Sequence, residues 1–159
     1  DLAEAPQVLI DPNTFSEEGT VALSSWQPSP DGKFLAYGVS QSGSDWVTWK
    51  VLDVKTGKHR TDLIEWTKFT TATWTKDNAG FFYGRYKAPT AGAKLEESNY
   101  FNQLYYHRLG TPQSKDQLVH ENRNEKEWGF SPQVTDDGKY LLVSVWKGTD
   151  DRSCVGGRF

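Results

Sequence analysis

The stretch SPDGKFLAYG, at residues 29–38, combines a tight turn with the start of a strand. Two later stretches repeat it, TKDNAGFFYG at 75–84 and TDDGKYLLVS at 135–144. All three contain Ser or Thr, one further residue, Asp, then Gly or Asn, two more residues and three apolar or aromatic positions. A chain that repeats one unit usually stacks copies of it, so this repeat constrains the whole fold.

The aspartates that anchor the repeat are Asp31, Asp77 and Asp137. An Asp side chain can accept hydrogen bonds from the amides that follow it, and Gly or Asn in the next position tolerates a positive φ. The runs after the anchors, KFLAYGV, GFFYGRY and KYLLVSVW, are nearly continuous in apolar character. Such runs are typical of strands in a sheet that is covered on both faces.

The spacing of the anchors, 46 residues from Asp31 to Asp77 and 60 from Asp77 to Asp137, leaves room for three more short strands in each unit. Four strands in about 45 residues is the period of a β-propeller blade. The first unit offers the candidate strands DWVTWKVLDV (45–54), DLIEWTKF (62–69) and TTATW (70–74), with KTGK (55–58) as a hairpin turn. The second offers NQLYYHRLG (102–110) and DQLVHE (116–121).

The pattern predicts an all-β chain that forms a partial β-propeller of about two and a half four-stranded blades. These blades should occupy roughly residues 20–70, 71–128 and 129–159, the last incomplete, with PQVLIDP (6–12) as an outer strand of an earlier blade. Propellers close into rings of roughly four to eight blades. Two and a half blades cannot close, so we expect the chain to be a fragment.

Composition supports a β fold and argues against several functional classes. The 7 Trp, 7 Tyr and 8 Phe residues favour sheets. A net charge of −3 and a pI near 5.6 predict no nucleic-acid partner. No apolar run approaches the roughly 18 residues of a membrane span. The chain begins with Asp and contains no Met, so we expect the start of the gene product to be missing.

No residue is assigned to catalysis, to a cofactor or to a metal. His59, His107 and His120 are far apart and lack companion ligands at metal-binding spacing. Cys154 has no neighbouring base and, as the single cysteine, leaves the redox compartment open. The stretch GVSQS (38–42) lacks the last glycine of a Gly-x-Ser-x-Gly nucleophile elbow and lies inside the repeat.

The stretches VLIDPNTFSEEGTVAL, SPDGKFLAYGVSQSGSDWVTWKV and LYYHRLGTPQSKDQLVHE resemble the N-terminal propeller of the prolyl oligopeptidase family of serine peptidases. The likeness runs from about residue 8 to residue 150. It implies a seven-bladed propeller that covers the active site of an α/β-hydrolase domain and excludes folded proteins. That domain, absent from residues 1–159, would cleave short peptides after proline with a Ser-Asp-His triad.

The resemblance also implies roles for two residues. Phe69, in TKFTTATW, matches a family phenylalanine that lines the substrate channel, where it would contact a peptide residue upstream of the proline. The alternative is that Phe69 packs between blades. Asp45, in GSDWVT, matches a family aspartate near the domain interface, where it could pair with a cation. The alternative is a residue that starts a strand or a turn.

Three further channel positions depart from the pattern of the animal enzymes of this family. Gly129 stands where a methionine is usual, and Trp146 and Thr149 stand where an arginine and a cysteine are usual. A smaller Gly and a larger Trp would reshape the pocket, so substrate preference is not transferred. The insertion at 87–98 matches a loop thought to control access, with a plain surface loop as the alternative. The tail at 152–159 departs more, because two glycines fall where the family has a strand.

We therefore expect a propeller segment of a prolyl oligopeptidase-like parent, forming channel wall and size filter and inactive alone. Its partners would be proline-containing oligopeptides and the α/β-hydrolase catalytic domain of the same parent chain. The alternative is a stand-alone or oligomerising β-propeller binding module without enzymatic activity. The compartment is undetermined, with the cytoplasm favoured over the periplasm.

Overall fold

The computed structural model describes residues 7–89 and 99–148 in full and, for residues 150–158, the backbone. These residues contain eleven strands and two short 3-10 turns, Pro12–Thr14 and Gln113–Lys115. Within the described ranges, no helix is both long and apolar enough to cross a membrane. The chain is therefore all-β, as the repeat predicted.

The strands form three antiparallel sheets, each built from strands that are consecutive in the chain. The first sheet contains β1 (Val21–Pro28), β2 (Phe34–Gln41), β3 (Val47–Asp53) and β4 (Lys58–Thr67). The second contains β5 (Thr73–Trp74), β6 (Gly80–Arg85), β7 (Gln103–Arg108) and β8 (Gln117–Glu121). The third contains β9 (Trp128–Val134), β10 (Tyr140–Lys147) and β11 (Asp150–Arg158).

The repeated turn joins the first two strands of each sheet, and its hydrogen bonds explain the sequence pattern. In the first copy, the Ser29 hydroxyl and the Lys33 N–H both donate to Asp31 Oδ1, at 2.8 and 3.1 Å. Ser29 then pairs with Phe34, which closes the turn at the start of β2. The residues after the anchors have left-handed backbones, with φ of 69° at Gly32, 61° at Asn78 and 72° at Gly138.

Strand β6 is buried along almost its whole length because it lies between two sheets. Its side chains alternate between the two interfaces. Phe81 and Tyr83 pack against the first sheet, in a cluster that includes Trp49 and Ile64. Phe82 packs against the third sheet, in a cluster completed by Leu104, Phe130, Leu141, Val143 and Val145. This continuous burial is the pattern predicted from GFFYGRY.

Strand β10 differs from that prediction, because its burial alternates along its length. Leu141, Val143 and Val145 face the second sheet and are buried, whereas Tyr140 and Ser144 are exposed. The described residues cover one face of the third sheet only. The apolar run KYLLVSVW therefore has the composition of a central strand in a one-sided environment.

The three sheets fan out from a common edge formed by their first strands. Trp74 Nε1, in β5, donates to Gln27 O in β1 at 2.9 Å. Thr73 Oγ1 donates to Pro132 O in β9 at 3.1 Å. Sheets that stack face to face around such an edge have the arrangement of successive propeller blades.

One local prediction from the sequence is wrong. Residues 7–11 of PQVLIDP form no strand; Ile10 instead packs on the face of the first sheet, beside Tyr37 and Val39. Residues 152–158 of the tail, whose two glycines depart from the family pattern, lie in β11. Gly156 and Gly157 pair with Leu142 and Leu141 of β10, because glycine keeps both backbone groups of a ladder residue.

Candidate functional site

The connections between strands lie at two opposite ends of the sheets. The antiparallel registers place the repeated turns at one end, which we call the turn end; these turns are residues 29–33, 75–79 and 135–139. They place three other connections at the opposite end, which we call the connection end; these are residues 42–46, 68–72 and 99–102. Trp128 and Lys147, the β9–β10 pair farthest from the turn at 135–139, also lie at the connection end.

Four of the predicted site residues lie at the connection end, although they come from separate parts of the chain. Asp45 is in the β2–β3 connection and Phe69 is in the β4–β5 connection. Gly129 and Trp146 are cross-strand partners in β9 and β10. Thr149, the remaining predicted channel residue, lies outside the described residues, as do residues 90–98 of the predicted access loop.

Phe69 has an unusual backbone and a ring that is half exposed. Its φ is 54°, a left-handed conformation that bulky residues rarely adopt. Its exposed fraction is 53 %. The ring meets Trp146 edge to face, with centroids 6.2 Å apart and an interplanar angle of 88°. Phe69 therefore contacts the third sheet and also presents apolar surface to solvent.

Trp146 can take its position because residue 129 is a glycine. A Cβ built on Gly129 would overlap the six-membered ring of the Trp146 indole. The indole thus fills the space that a side chain at position 129 would need. The small Gly129 and the large Trp146 therefore shape this surface together.

A cavity of about 510 Å³ opens between Phe69 and Trp146. Its wall combines aromatic rings with polar and charged groups, namely Phe69, Tyr86, Asn99, Glu127, Trp146 and Lys147. Lys147 Nζ lies 3.4 Å from Glu127 Oε2, so the two charges offset each other. Burial raises the pKa of the Tyr86 hydroxyl to about 12, so this group stays neutral at ordinary pH. The cavity is open, partly apolar and close to neutral.

Asp45 is exposed and is linked to the Phe69 segment through Lys68. Burial lowers the pKa of the Lys68 ammonium, and the charge of Asp45 acts in the opposite direction. Lys68 Nζ donates to Asn99 Oδ1 at 2.9 Å and lies 4.0 Å from the centroid of the Trp46 ring. Sequence reasoning missed Lys68, because nothing in TKFTTATW distinguishes a buried lysine from a solvated one.

A second polar group, at the turn end, was also missed. His107 is fully buried, with Nε2 3.0 Å from Asp62 Oδ1 and Nδ1 2.7 Å from Asp116 Oδ1. Asp116 also accepts from the Tyr83 hydroxyl, and Asp62 accepts from Arg60 Nε at 3.0 Å. Burial alone would lower the pKa of His107, but the two carboxylates outweigh it and raise the pKa to about 9.

This network joins the first sheet to the second. Asp62 is in β4 of the first sheet, whereas His107 is in β7 of the second. The two ring nitrogens of His107 connect it to Asp62 and Asp116. These three residues are far apart in the sequence, so no local motif indicates them. Both ring nitrogens are hydrogen-bonded to carboxylates, so His107 stabilises the interface and offers no free base to a substrate.

The GVSQS stretch forms the last four residues of β2 and the first residue of the β2–β3 connection. Gly38 pairs with Trp49 of β3, and Ser42 N–H donates to Thr20 O at 2.7 Å in the β2–β3 connection. A nucleophile elbow requires a sharp turn from a strand into a helix. The residues at 38–42 have a different local structure.

Comparison with known proteins connects this architecture to one family. The family profile described as "Prolyl oligopeptidase, N-terminal beta-propeller domain" matches residues 2–155. Prolyl oligopeptidase A of Galerina marginata is 42 % identical in an alignment 156 positions long, which covers 88 % of this chain and 21 % of the relative. The chain thus spans about a fifth of the length of that relative.

Two solved structures share the fold at a similar level of identity. One comes from a study of two prolyl endopeptidases and of inter-domain dynamics in their catalysis and specificity; it is 35 % identical, with a TM-score of 0.84 over 99 % of this chain and 22 % of its own. The other is prolyl oligopeptidase B from Galerina marginata bound to a 35-residue hydrolysis and macrocyclisation substrate. It is 33 % identical, with a TM-score of 0.81 over 88 % of this chain and 20 % of its own.

The profile match extends over nearly the whole chain, and the two solved structures share its fold. The chain therefore belongs to the prolyl oligopeptidase N-terminal β-propeller domain family.

Proposed function

We propose that this chain forms part of the wall of the substrate channel in a prolyl oligopeptidase, and that it limits the size of the peptides that reach the catalytic domain. One observation carries the proposal. Phe69 is a half-exposed ring, held in a left-handed conformation against Trp146 at the edge of an open cavity. Backbone strain of this kind concentrates at ligand-binding and catalytic sites.

The chemistry of the cavity suits a peptide that contains proline. Proline has an apolar ring and no backbone N–H, so much of its recognition must come from apolar contact. Phe69 and Trp146 supply apolar surface at an angle to each other. Glu127 and Lys147 lie beside them and supply polar contacts for the peptide backbone.

Asp45 is proposed to face the catalytic domain. Asp45 is exposed at the same end as the cavity, and its charge acts on the ammonium of Lys68. An exposed carboxylate next to a domain boundary can pair with a cation on the other domain. The turn end, which is occupied by the repeated turns, would then face away from the catalytic domain.

The chain alone is proposed to be inactive. Each of its three histidines is engaged by neighbours: His59 contacts the Tyr37 hydroxyl, His107 lies between two carboxylates and His120 packs against Phe130. A hydrolytic triad needs a histidine that reaches both a nucleophile and an orienting acid.

The comparisons support the peptide-binding role over the alternative of an independent binding module. The peptide-bound prolyl oligopeptidase B shares the fold of this chain. The chain also matches the propeller profile of that family from residue 2 to residue 155. An independent module would need another reason for its likeness to peptidase propellers.

The test uses the complete gene product, with Phe69→Ala as the variant and Tyr140→Ala, an exposed aromatic residue at the turn end, as the control. We expect Phe69→Ala to raise KM for a proline-containing peptide about tenfold, the loss of roughly one apolar contact. Tyr140→Ala should leave KM unchanged. The 159-residue chain alone should not hydrolyse the peptide. An unchanged KM for Phe69→Ala, or hydrolysis by the chain alone, would contradict the proposal.

A further inference from the structure

The segment of residues 66–70 is held by its neighbours at almost every position. Trp66 O accepts a hydrogen bond from Tyr86 N–H at 3.0 Å. The Thr67 hydroxyl donates to Val47 O at 2.6 Å. These two bonds tie the start of the segment to β3 and to the end of β6.

The end of the segment is tied in the same way. The Thr70 hydroxyl accepts from Gly84 N–H at 2.8 Å. Trp66 has a φ of 62° and Phe69 a φ of 54°. A left-handed conformation is unfavourable for a bulky residue, so two of them in four residues persist only when contacts enforce them.

Lys68 immediately precedes Phe69 in this segment. It is only 7 % exposed, although it carries a charge. Its ammonium donates to Asn99 at 2.9 Å and lies 4.0 Å from the centroid of the Trp46 ring. These partners belong to two different sheets, since Trp46 precedes β3 and Asn99 precedes β7.

A buried ammonium is stable only where its partners replace the lost hydration. Lys68 has such partners in one position, between the indole face and the amide oxygen. The side chain is therefore fixed, and with it the backbone that precedes Phe69. Phe69 itself projects into the cavity and reaches Trp146 of the third sheet.

We propose that Lys68 is the positioning residue for Phe69: its ammonium, held between Trp46 and Asn99, fixes the left-handed turn that presents the Phe69 ring to the peptide. This inference rests on the proposed function for its effect on substrate, but not for its effect on the position of the ring. Lys68 is not among the residues that line the cavity.

The experiment uses the complete gene product and three lysine variants. Lys68→Met keeps an unbranched side chain against Trp46 and removes the charge and the donor. Lys68→Arg keeps a cation and a donor. Lys33→Met makes the same replacement at an exposed lysine of the turn end.

We expect Lys68→Met to raise KM for a proline-containing peptide about as much as Phe69→Ala, with kcat changed less than about twofold. Lys68→Arg should recover most of the affinity, and Lys33→Met should behave as wild type.

A double-mutant cycle separates positioning from general stability. If Lys68 acts through the Phe69 ring, the double variant Lys68→Met/Phe69→Ala should have the KM of Phe69→Ala alone. A purely structural role for Lys68 would give additive effects on KM. Additivity would overturn the inference.

A second measurement does not depend on the proposed function. The ¹⁹F resonance of a fluorinated Phe69, identified by its loss in Phe69→Ala, reports the surroundings of the ring. Its chemical shift should differ from that of wild type in Lys68→Met, and should match wild type closely in Lys68→Arg and Lys33→Met. An unmoved resonance in Lys68→Met would overturn the inference. A moved resonance together with unchanged KM in both Lys68→Met and Phe69→Ala would uphold the positioning by Lys68 and refute the channel role.

Discussion

At the scale of single residues, Phe69 and Gly129 each lie in a backbone conformation that usually suits a different type of residue. Phe69 occupies a left-handed conformation that suits glycine, and surrounding contacts enforce it. Gly129 lies in a regular strand, where glycine is usually unfavourable. It is required there because the Trp146 indole lies where a side chain would be. Both features serve the same aromatic pair.

The Gly129 pairing predicts the result of a one-carbon change. Gly129→Ala should displace the Trp146 indole, because the added Cβ would overlap it. Overpacking of this kind costs about 1–3 kcal/mol of unfolding free energy, set against a small gain in strand propensity. Ser131→Ala, at an exposed position of the same strand, is the control. Chemical denaturation followed by tryptophan fluorescence measures both. A Gly129→Ala variant as stable as Ser131→Ala would show that the indole moves without cost.

At the scale of elements, the interface between the first and second sheets contains an apolar cluster and a buried charged group. The apolar cluster includes Trp49, Ile64 and Phe81. The charged group is His107 with Asp62 and Asp116, and its outer partners are Arg60 and Tyr83. A buried ion network is costly unless every member is paired, and here both ring nitrogens have carboxylate partners.

This network predicts a loss of stability at alkaline pH. The pKa of His107 rises from 6.5 to about 9 on folding, because Asp116 and Asp62 outweigh the burial that would lower it. The protonated form therefore stabilises the folded state fully below pH 6.5, by at most about 3 kcal/mol, and this contribution is lost as the pH rises towards 9.

The measurement compares wild type with His107→Gln in denaturant unfolding between pH 6 and about 9.5, the range that spans the two pKa values. Wild type should be the more stable at pH 6, and the difference should shrink as pH rises. His120→Gln is the matched control, because His120 is half-buried against Phe130 and, in the described residues, has no hydrogen bond to a carboxylate. A difference that stays constant with pH would mean that folding does not change the pKa of His107.

At the scale of the whole molecule, the first sheet has an outer face that the described residues cover only in part. Tyr37, Val39 and Leu52 lie on this face beneath Ile10 and Phe15 of the N-terminal segment. A cavity of about 820 Å³ remains beside them. Trp26 pairs with Tyr37 across β1 and β2 and is 59 % exposed. An apolar surface of this kind normally contacts another protein surface.

In a closed propeller, another blade would cover this face, and this expectation can be tested with a hydrophobic dye. The 159-residue chain alone should bind the dye more strongly than the complete gene product does. Trp26→Gln should reduce dye binding by the chain alone and leave that of the complete gene product unchanged. Equal dye binding by both proteins would mean that the outer face stays open.

The sequence determined the fold through features that are local along the chain. The three Asp turns could be predicted because the hydrogen bonds around Asp31 and Asp137 join residues within five positions of each other. The strand runs after them could be predicted from apolar pattern alone. The resemblance carried by stretches such as SGSDWVT indicated the family, which the profile match confirms.

Only the tertiary structure decided how residues that are distant in the sequence meet. The Phe69–Trp146 contact, the space that Gly129 leaves for the indole and the Lys68–Asn99 bond each join parts of the chain that the stacking of sheets brings together. The same holds for His107, whose partners lie 45 residues before it and nine after it. A sequence pattern reports the period of a strand and the chemistry of a turn, because these depend on neighbours along the chain. Burial, pKa and left-handed strain depend on neighbours in space, and for those the fold itself was required.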